Sequence, residues 1–161
     1  TLGSRVVAMI EKYRGGVVPT AERDAEIVEL ERAVTDAADA AIGKLAIHDA
    51  LAEVAKLVDA LNGYVTDQAP WVLAKDPAQA ERLDQVLATL HHGVGTLAVL
   101  YSPVMPKATA KLWAALGESG DLADQRVNRA WDRPVGGTVS ALEPLFPRIE
   151  LAADEQAAPA S

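Results

Sequence analysis

The chain has no cysteine and few aromatic residues. Its 161 residues include only 4% Phe, Trp and Tyr, while half are apolar, chiefly Ala, Leu and Val. The absence of cysteine excludes a disulfide framework and thiolate metal sites, and it fits a reducing compartment. Because strands are rich in aromatic and β-branched residues, this composition favours packed helices over a sheet. The length fits one domain with a proper core.

Long apolar stretches and an excess of positive charge are also missing. No run approaches the roughly 20 apolar residues that cross a bilayer, and no signal peptide is visible. The net charge of −8 argues against broad, non-specific binding to nucleic acids, which needs clustered cations. We therefore expect a cytoplasmic protein with neither a membrane nor DNA among its partners.

The sequence carries no signature of catalysis or of metal binding. The histidines His48, His91 and His92 form no HExxH pair, and the two adjacent ones point to different faces of a helix. No nucleophile motif, phosphate-binding glycine loop or dinucleotide fingerprint is found. We expect no catalytic residue, no metal site and no bound cofactor in this chain, which is typical of a binding or scaffolding module.

Apolar residues recur at helical spacing in five stretches. This pattern predicts an all-α fold, an antiparallel bundle of about five helices joined by short connections. Glycines, prolines and capping residues predict the ends of the helices. The first helix ends at Gly15-Gly16, and the second begins at Pro19-Thr20, with an apolar stripe that reaches Leu45 and with Gly43 within the helix or at its end. The third ends or bends at Pro70, the fourth runs from an Asp76–Pro77 cap with a Gln79 capping box to Ser102-Pro103, and the fifth runs from Pro106 to Gly117.

The helical pattern stops after Gly117. Residues 118–137 are turn-rich and charged, and they predict a loop with one short helical turn. The segment SALEPLFPRIE, residues 140–150, predicts an extended piece that packs back on a surface. Residues 151–161 predict a disordered tail, so we assign residues 1–150 to the domain.

The stretch DQAPWVLAKD places Trp71 directly after Pro70, where a helix should stop. A core tryptophan normally lies within a periodic pattern, as Trp113 does on the apolar stripe of the fifth helix, whereas Trp131 falls in the late loop. Two interpretations of Trp71 stay open on this evidence. It either caps the end of the core or displays its indole for a ligand.

Three blocks of the sequence carry a resemblance to a known family. They read RVVAMIEKYRGGVVP, NGYVTDQAPWVLAKD and LYSPVMPKATAKLW, in this order. From Thr1 to about Glu150 the chain resembles the anticodon-binding domain of bacterial methionyl-tRNA synthetase. The closing LFPRIE resembles the segment with which that family's chain returns toward its catalytic part.

The resemblance implies a class I aminoacyl-tRNA synthetase whose HIGH and KMSKS catalytic elements lie upstream of Thr1. The parent enzyme would use ATP and Mg to activate methionine and would transfer it to tRNA. This chain would select initiator and elongator methionine tRNA through the CAU anticodon, and it would be inactive alone. Its partners would be methionine tRNA and the catalytic domain of the same polypeptide.

The resemblance also implies roles for individual residues in the recognition of the anticodon. Trp71, supported by Pro70, would stack on the first anticodon base, a cytosine, which fits the way single-stranded RNA is bound on aromatic faces. Arg5 matches an arginine that reads the edge of the cytosine. Thr1 falls where the family has an asparagine, so either threonine takes that place here or a one-residue shift puts the asparagine just before Thr1.

Three further residues match family positions near the anticodon pocket. Asp59 matches an acidic residue, and Asn62 and Tyr64 match residues that we expect to organise the groove rather than touch RNA. We also expect a basic lip near Trp71, formed by Arg5, Lys12, Arg14 and Lys75, with the acidic second helix facing away.

Two alternatives belong to other functional classes. One is a free-standing helical module for protein–protein interaction. The other is the related domain of a different class I synthetase, such as the enzymes for valine, leucine, isoleucine or cysteine. The APW and SPVMP blocks argue against this second alternative.

Overall fold

The structure is a computed structural model, and it describes residues 2–142. Six α-helices follow one another in these residues, without strands but with one isolated antiparallel bridge between Val17 and Thr138. The predictions for Thr1, for the LFPRIE segment and for the tail at 151–161 lie outside the described residues. Within residues 2–142, no helix is long and apolar enough to span a membrane. The helices are α1 (Leu2–Arg14), α2 (Ala25–Gly43), α3 (Ile47–Gln68), α4 (Pro70–Leu73), α5 (Ala80–Tyr101) and α6 (Pro106–Leu116).

The central element of the bundle is α5. Every residue from Val86 to Leu100 is buried, as expected for a helix with neighbours on all sides. The neighbours α1 and α3 pack against α5 and run antiparallel to it, since the ends of both helices bond to the start of α5 and their earlier residues contact its middle. At Gly93 the approach of α3 is so close that a Cβ would lie 2.8 Å from a methyl carbon of Leu61. The predicted antiparallel all-α bundle is thus confirmed, with five long helices and the additional single turn α4.

The predicted start of the second helix at Pro19-Thr20 is wrong, because α2 begins at Ala25. The chain before it is extended and pairs with a distant segment. The N–H of Val18 donates to the carbonyl of Gly137 at 2.9 Å, and the N–H of Val139 donates to the carbonyl of Gly16 at 2.8 Å. These long-range bonds hold the backbone out of the helical conformation.

The start of the fourth predicted helix differs in detail. An Asp76 Oδ1 accepts a hydrogen bond from the N–H of Ala78 at 3.0 Å, which confirms the cap. The chain then forms a 3-10 turn, Pro77–Gln79, before α5 begins at Ala80. The N–H of Asp76 donates to the carbonyl of Leu73 at 3.2 Å and thus has the partner that a Gln79 capping box would supply. The predicted end of α6 is confirmed, since Gly117 has a φ of 67°.

The segment after α6 contains two 3-10 turns, Leu122–Asp124 and Val127–Asp132, where one short turn was expected. The buried side chain of Arg133 fastens this segment to the bundle. Its Nη2 donates to the carbonyl of His92 at 2.7 Å, and its Nη1 donates to Glu118 at 3.0 Å. The guanidinium also lies 5.3 Å from the ring centre of Trp113.

The adjacent histidines point to different faces of α5, as predicted. The Nε2 of His91 donates to the carbonyl of Leu116 at 2.7 Å, and the Nε2 of His92 donates to the carbonyl of Arg133 at 3.0 Å. The Nδ1 of His92 contacts both the guanidinium of Arg23 and the buried carboxylate of Glu31. Burial lowers the pKa of both imidazoles. Both rings therefore act as neutral parts of the core.

Candidate functional site

The corner between α3 and α4 carries Trp71. The N–H of Ala69 donates to the carbonyl of Val65 at 3.0 Å, and Ala69 then takes a left-handed conformation with a φ of 44°. Pro70 follows at the first position of α4, where its fixed φ and missing N–H are tolerated. Leu73 packs against the core at the end of this turn. Pro70, which is buried, and Leu73 thus hold the turn from both sides of Trp71.

The three tryptophans have different environments. The side chain of Trp113 is buried, and its Nε1 donates to the carbonyl of Gly120 at 3.0 Å. Trp131 lies in a 3-10 turn, with the guanidinium of Arg32 5.4 Å from its ring centre. Both are structural, as predicted. Trp71 is 40% exposed, and it has no hydrogen-bond or ring partner among residues 2–142.

An exposed neighbour enlarges the apolar surface at this corner. Val72 follows Trp71 in α4 and is 56% exposed. Its N–H donates to the carbonyl of Ala69 at 2.8 Å, so the backbone of the pair is fixed. The corner therefore presents an aromatic and a β-branched side chain to solvent on a rigid turn, which suits the binding of a flat apolar group.

Arg5 is exposed on α1, with no ion pair in the described part of the chain. At the far end of α1, Arg14 bonds to Asp84, and at the end of α3, Gln68 bonds to Arg82. The end of α1 and the Trp71 corner therefore lie at the same end of α5. Arg5 lies about 14 Å from Arg14 along α1, at 1.5 Å per residue.

Asp59 is not grouped with the corner. It is exposed on α3. The pKa of Tyr101, the last residue of α5, is raised first by the burial of the tyrosine and second by the negative charge of Asp59. Along the axis of α3 it lies about 14 Å before Gln68, which bonds to Arg82 near the other end of α5. The side chain of Asn62 donates to the carbonyl of Val58 in its own helix.

The predicted basic lip is incomplete, because Arg5 lies about 14 Å along α1 from Arg14, which is at the end of the helix nearer the corner. Arg14 does not present a free cation, because its Nε bonds to Asp84 and its Nη2 donates to the carbonyl of Ala80 at 3.2 Å. This internal ion pair is a correction to the prediction. Lys75 is exposed in the turn after α4, and Lys12 is exposed with its Nζ 5.6 Å from the ring centre of Tyr13.

An open groove of about 770 Å³ lies between α2 and α3 beside the corner. Ile27, Leu30 and Tyr64 are among the residues that line it, together with the carboxylates of Glu26 and Asp67. Negative charge of this density repels phosphate groups. The acidic start of α2 borders the end of α3 that leads into the corner, so the prediction that this helix faces away from Trp71 is wrong.

Sequence reasoning missed two polar clusters. One joins Asp24, Tyr64 and Arg82 next to the corner, and only Tyr64 was singled out from the sequence. The other contains Glu31, which is buried among polar side chains. A signal for Glu31 was available, because it lies four residues after Ile27 and three before Val34 on the apolar stripe of α2.

A comparison with known families decides the classification. Residues 14–159 match the family model described as the anticodon binding domain of methionyl tRNA ligase. The chain belongs to this family. The match supports the resemblance over an unrelated interaction module and over the domains of other class I synthetases. Arg5 lies before the matched residues.

Relatives cover almost all of this chain. The chain is 40% identical over 169 residues to a methionine–tRNA ligase of Streptomyces coelicolor, with 92% of this chain and 30% of the relative covered. It is 36% identical over 157 residues to a methionine–tRNA ligase of Deinococcus radiodurans, with 94% of this chain and 23% of the relative covered. The chain thus spans less than a third of the length of these relatives.

A solved structure gives the same answer. The fold resembles the Mycobacterium tuberculosis methionyl-tRNA synthetase bound by methionyl-adenylate, with a TM-score of 0.80 and 26% identity. The likeness covers 91% of this chain and 30% of that chain. The bundle of six helices is therefore the fold of one part of a larger enzyme in that structure.

Proposed function

We propose that this chain recognises the anticodon loop of methionine tRNA on behalf of a methionine–tRNA ligase. Trp71 stacks on the first anticodon base, and Pro70 fixes the turn that presents it. The observation that carries the proposal is the exposed indole of Trp71, which lacks a partner among residues 2–142 and lies on a rigid corner. Bases splayed from a loop are bound in this way, since stacking on an aromatic face contributes about 1–3 kcal/mol per base.

Arg5 supplies sequence selection in this proposal. Its guanidinium donates hydrogen bonds to the acceptor atoms of cytosine, which is the chemistry that an arginine offers to a base edge. The exposed position of Arg5 and its lack of an ion pair in the described residues support this role, and the loop would have to extend along α1 from the corner end to reach it, since Arg5 lies about 14 Å from Arg14. Asp59 and Thr1 have weaker claims, because Asp59 lies toward Tyr101 and Thr1 precedes the described residues.

The parent enzyme would carry out the chemistry elsewhere. Its catalytic domain, in the same polypeptide, would activate methionine with ATP and Mg and transfer it to initiator and elongator tRNA that carry CAU. This chain would contribute selection of the tRNA and no bond-making. The relatives bear the name methionine–tRNA ligase, which supports this assignment and a cytoplasmic location.

Binding of anticodon stem-loops to this chain tests the proposal. Trp71→Ala should weaken binding of a CAU stem-loop roughly 5- to 150-fold, the equivalent of about 1–3 kcal/mol of stacking. Trp71→Phe should retain part of the affinity, because a smaller ring still offers a face. Arg5→Ala should reduce the preference for CAU over UAU, whereas an arginine that only contacts phosphate would weaken both equally.

Thermal unfolding supplies the control. Trp71→Ala should melt close to the parent chain, because its indole is exposed. Trp113→Ala is the matched variant, and the loss of this buried ring should cost about 3–5 kcal/mol of stability. Stem-loop binding that is unchanged by Trp71→Ala would refute the proposed stacking. A large drop in its melting temperature would make Trp71 a structural residue.

A further inference from the structure

We propose that Arg82 is a positioning residue for the Trp71 corner, acting through Gln68 as part of a clamp with Asp24 and Tyr64. The inference rests on the proposed function, because it assigns the clamp the task of holding Trp71 for an RNA base. None of these four side chains needs to touch RNA.

The clamp joins three helices at one guanidinium. The Nη1 and Nη2 of Arg82 donate to the two carboxylate oxygens of Asp24 at 2.7 and 2.8 Å. Asp24 occupies the N-cap position of α2 without a side-chain capping bond, and Arg82 lies in the first turn of α5. The Nη2 also donates to the Oε1 of Gln68 at 2.7 Å, and Gln68 is the last residue of α3. The start of α2, the end of α3 and the start of α5 are thus tied together.

Two further bonds fix Asp24. The hydroxyl of Tyr64 donates to Oδ2 of Asp24 at 2.6 Å, and the backbone N–H of Asp24 donates to Oγ1 of Thr89 at 3.0 Å. The hydrogen bond from Arg82 lowers the pKa of Asp24, whereas burial and the bond to Asp24 raise the pKa of Tyr64. The carboxylate therefore stays charged and the phenol stays protonated at neutral pH. Bidentate pairs of this kind hold a fixed geometry.

The clamp ends where the backbone becomes strained. Ala69 has a φ of 44°, a conformation that costs a residue other than glycine some energy and persists only when its surroundings impose it. Gln68 precedes Ala69, and the buried Pro70 follows it. The bond from Arg82 to Gln68 is therefore the last side-chain restraint before the strained residue, and Trp71 follows Ala69 by two residues. Loss of the Arg82–Gln68 bond lets the backbone at Ala69 relax and the indole of Trp71 leave the orientation that binds a base.

Gln68 allows the clamp to be tested without breaking the Asp24–Arg82 pair. Gln68→Ala removes only the link to the end of α3. Gln85→Ala is the matched control, because its Oε1 also accepts from Arg82, at 3.3 Å, but Gln85 lies on α5 itself. Gln68→Glu keeps an acceptor for the guanidinium and should restore the behaviour of the parent chain.

The first measurement is the indole N–H resonance of Trp71 in the free chain, assigned with Trp71→Phe. Gln68→Ala should shift or broaden this signal while the signals of Trp113 and Trp131 stay in place, and Gln85→Ala should leave all three unchanged. If the Trp71 signal stays in place in Gln68→Ala, the inference is wrong, regardless of the result for stem-loop binding. This readout does not depend on the proposed function.

The second measurement is binding of the CAU stem-loop. Gln68→Ala should weaken it by about 3- to 10-fold, a part of the stacking contribution. The loss should disappear in the Trp71→Ala background, since there is no indole left to position. An equal loss in that background would make Gln68 a general structural residue and overturn the inference. If Trp71→Ala alone has no effect, the proposed function fails, and the positioning of Trp71 for RNA fails with it.

Discussion

Gly95 lies directly beneath the guanidinium of Arg133. A Cβ at this position would lie 2.5 Å from Nη1 and 2.7 Å from Nη2 of Arg133, and it would also meet the carboxylate of Glu118. The close approach lets a side chain from the late segment enter the core beside α5. Glycine at position 95 therefore makes room for the Arg133–Glu118 ion pair.

Gly95→Ala should consequently destabilise the chain. Forcing a methyl group into this packed site should cost about 1–3 kcal/mol, which lowers the melting temperature by roughly 2–12 °C for a chain of this size. Gly63→Ala is the matched control on α3, because nothing lies within 4 Å of its added Cβ. The control should gain up to about 1 kcal/mol from the better helix propensity of alanine. Equal effects of the two substitutions would contradict the close packing at Gly95.

The buried charge of Glu31 should be important for stability. Its carboxylate, 1% exposed, accepts from Arg23 at 3.1 Å and lies 3.0 Å from the Nδ1 of His92. Glu31→Ala leaves a partly buried cation without its partner and should cost about 3–5 kcal/mol, measured by chemical denaturation. Glu53→Ala, which breaks the exposed pair with Lys56, should cost less than about 1 kcal/mol. Similar small losses of stability in Glu31→Ala and Glu53→Ala would show that the buried pair contributes no more than the exposed one.

Acid should destabilise the fold through His91. Burial lowers its pKa to about 4 in the folded chain, from an ordinary value of 6.5. Between pH 6.5 and about 4 the unfolded state binds a proton that the folded state does not, so stability falls as the pH falls. The slope from this group is at most about 1.4 kcal/mol per pH unit.

The variant His91→Gln isolates this contribution. Its side-chain amide can still donate to the carbonyl of Leu116, but it does not titrate. Denaturation curves at pH 7, 6 and 5 should show a shallower loss of stability for the variant than for the parent chain. His92, whose pKa is also lowered by burial, is present in both proteins. Parallel losses in the two proteins would exclude His91 as a source of the acid sensitivity.

Local sequence signals predict most of the helices, whereas long-range contacts decide the rest. The helices α3, α5 and α6 follow from apolar spacing and from Pro70, Pro106 and Gly117. The start of α2 does not, because the chain before it is held by long-range bonds, from Val18 to Gly137, about 120 positions away, and from Asp24 to Thr89, 65 positions away. No local pattern carries that information.

In the candidate site, too, some features follow from local sequence and others depend on long-range packing. The PW corner at Pro70–Trp71 was visible in the sequence, because a proline at the end of a helix restricts the backbone on both sides. That the indole is exposed and Trp113 is buried was decided by the packing of whole helices. The ion pair of Arg14 could not be predicted from the sequence either, since its partner Asp84 lies 70 residues away.

The sequence by itself determined the all-α class, most helix ends and the family, because periodicity and motifs depend on residues close together in the chain. Only the tertiary structure decided which charged side chains pair. Asp24 at the N-cap of α2, Gln68 in α3 and Arg82 in α5 meet at one guanidinium, and His92 contacts Arg23 and Glu31 from the first part of the chain and Arg133 from the last. Such pairs form only once the helices have docked, since burial makes an unpaired charge costly and so selects the arrangement in which each one finds a partner.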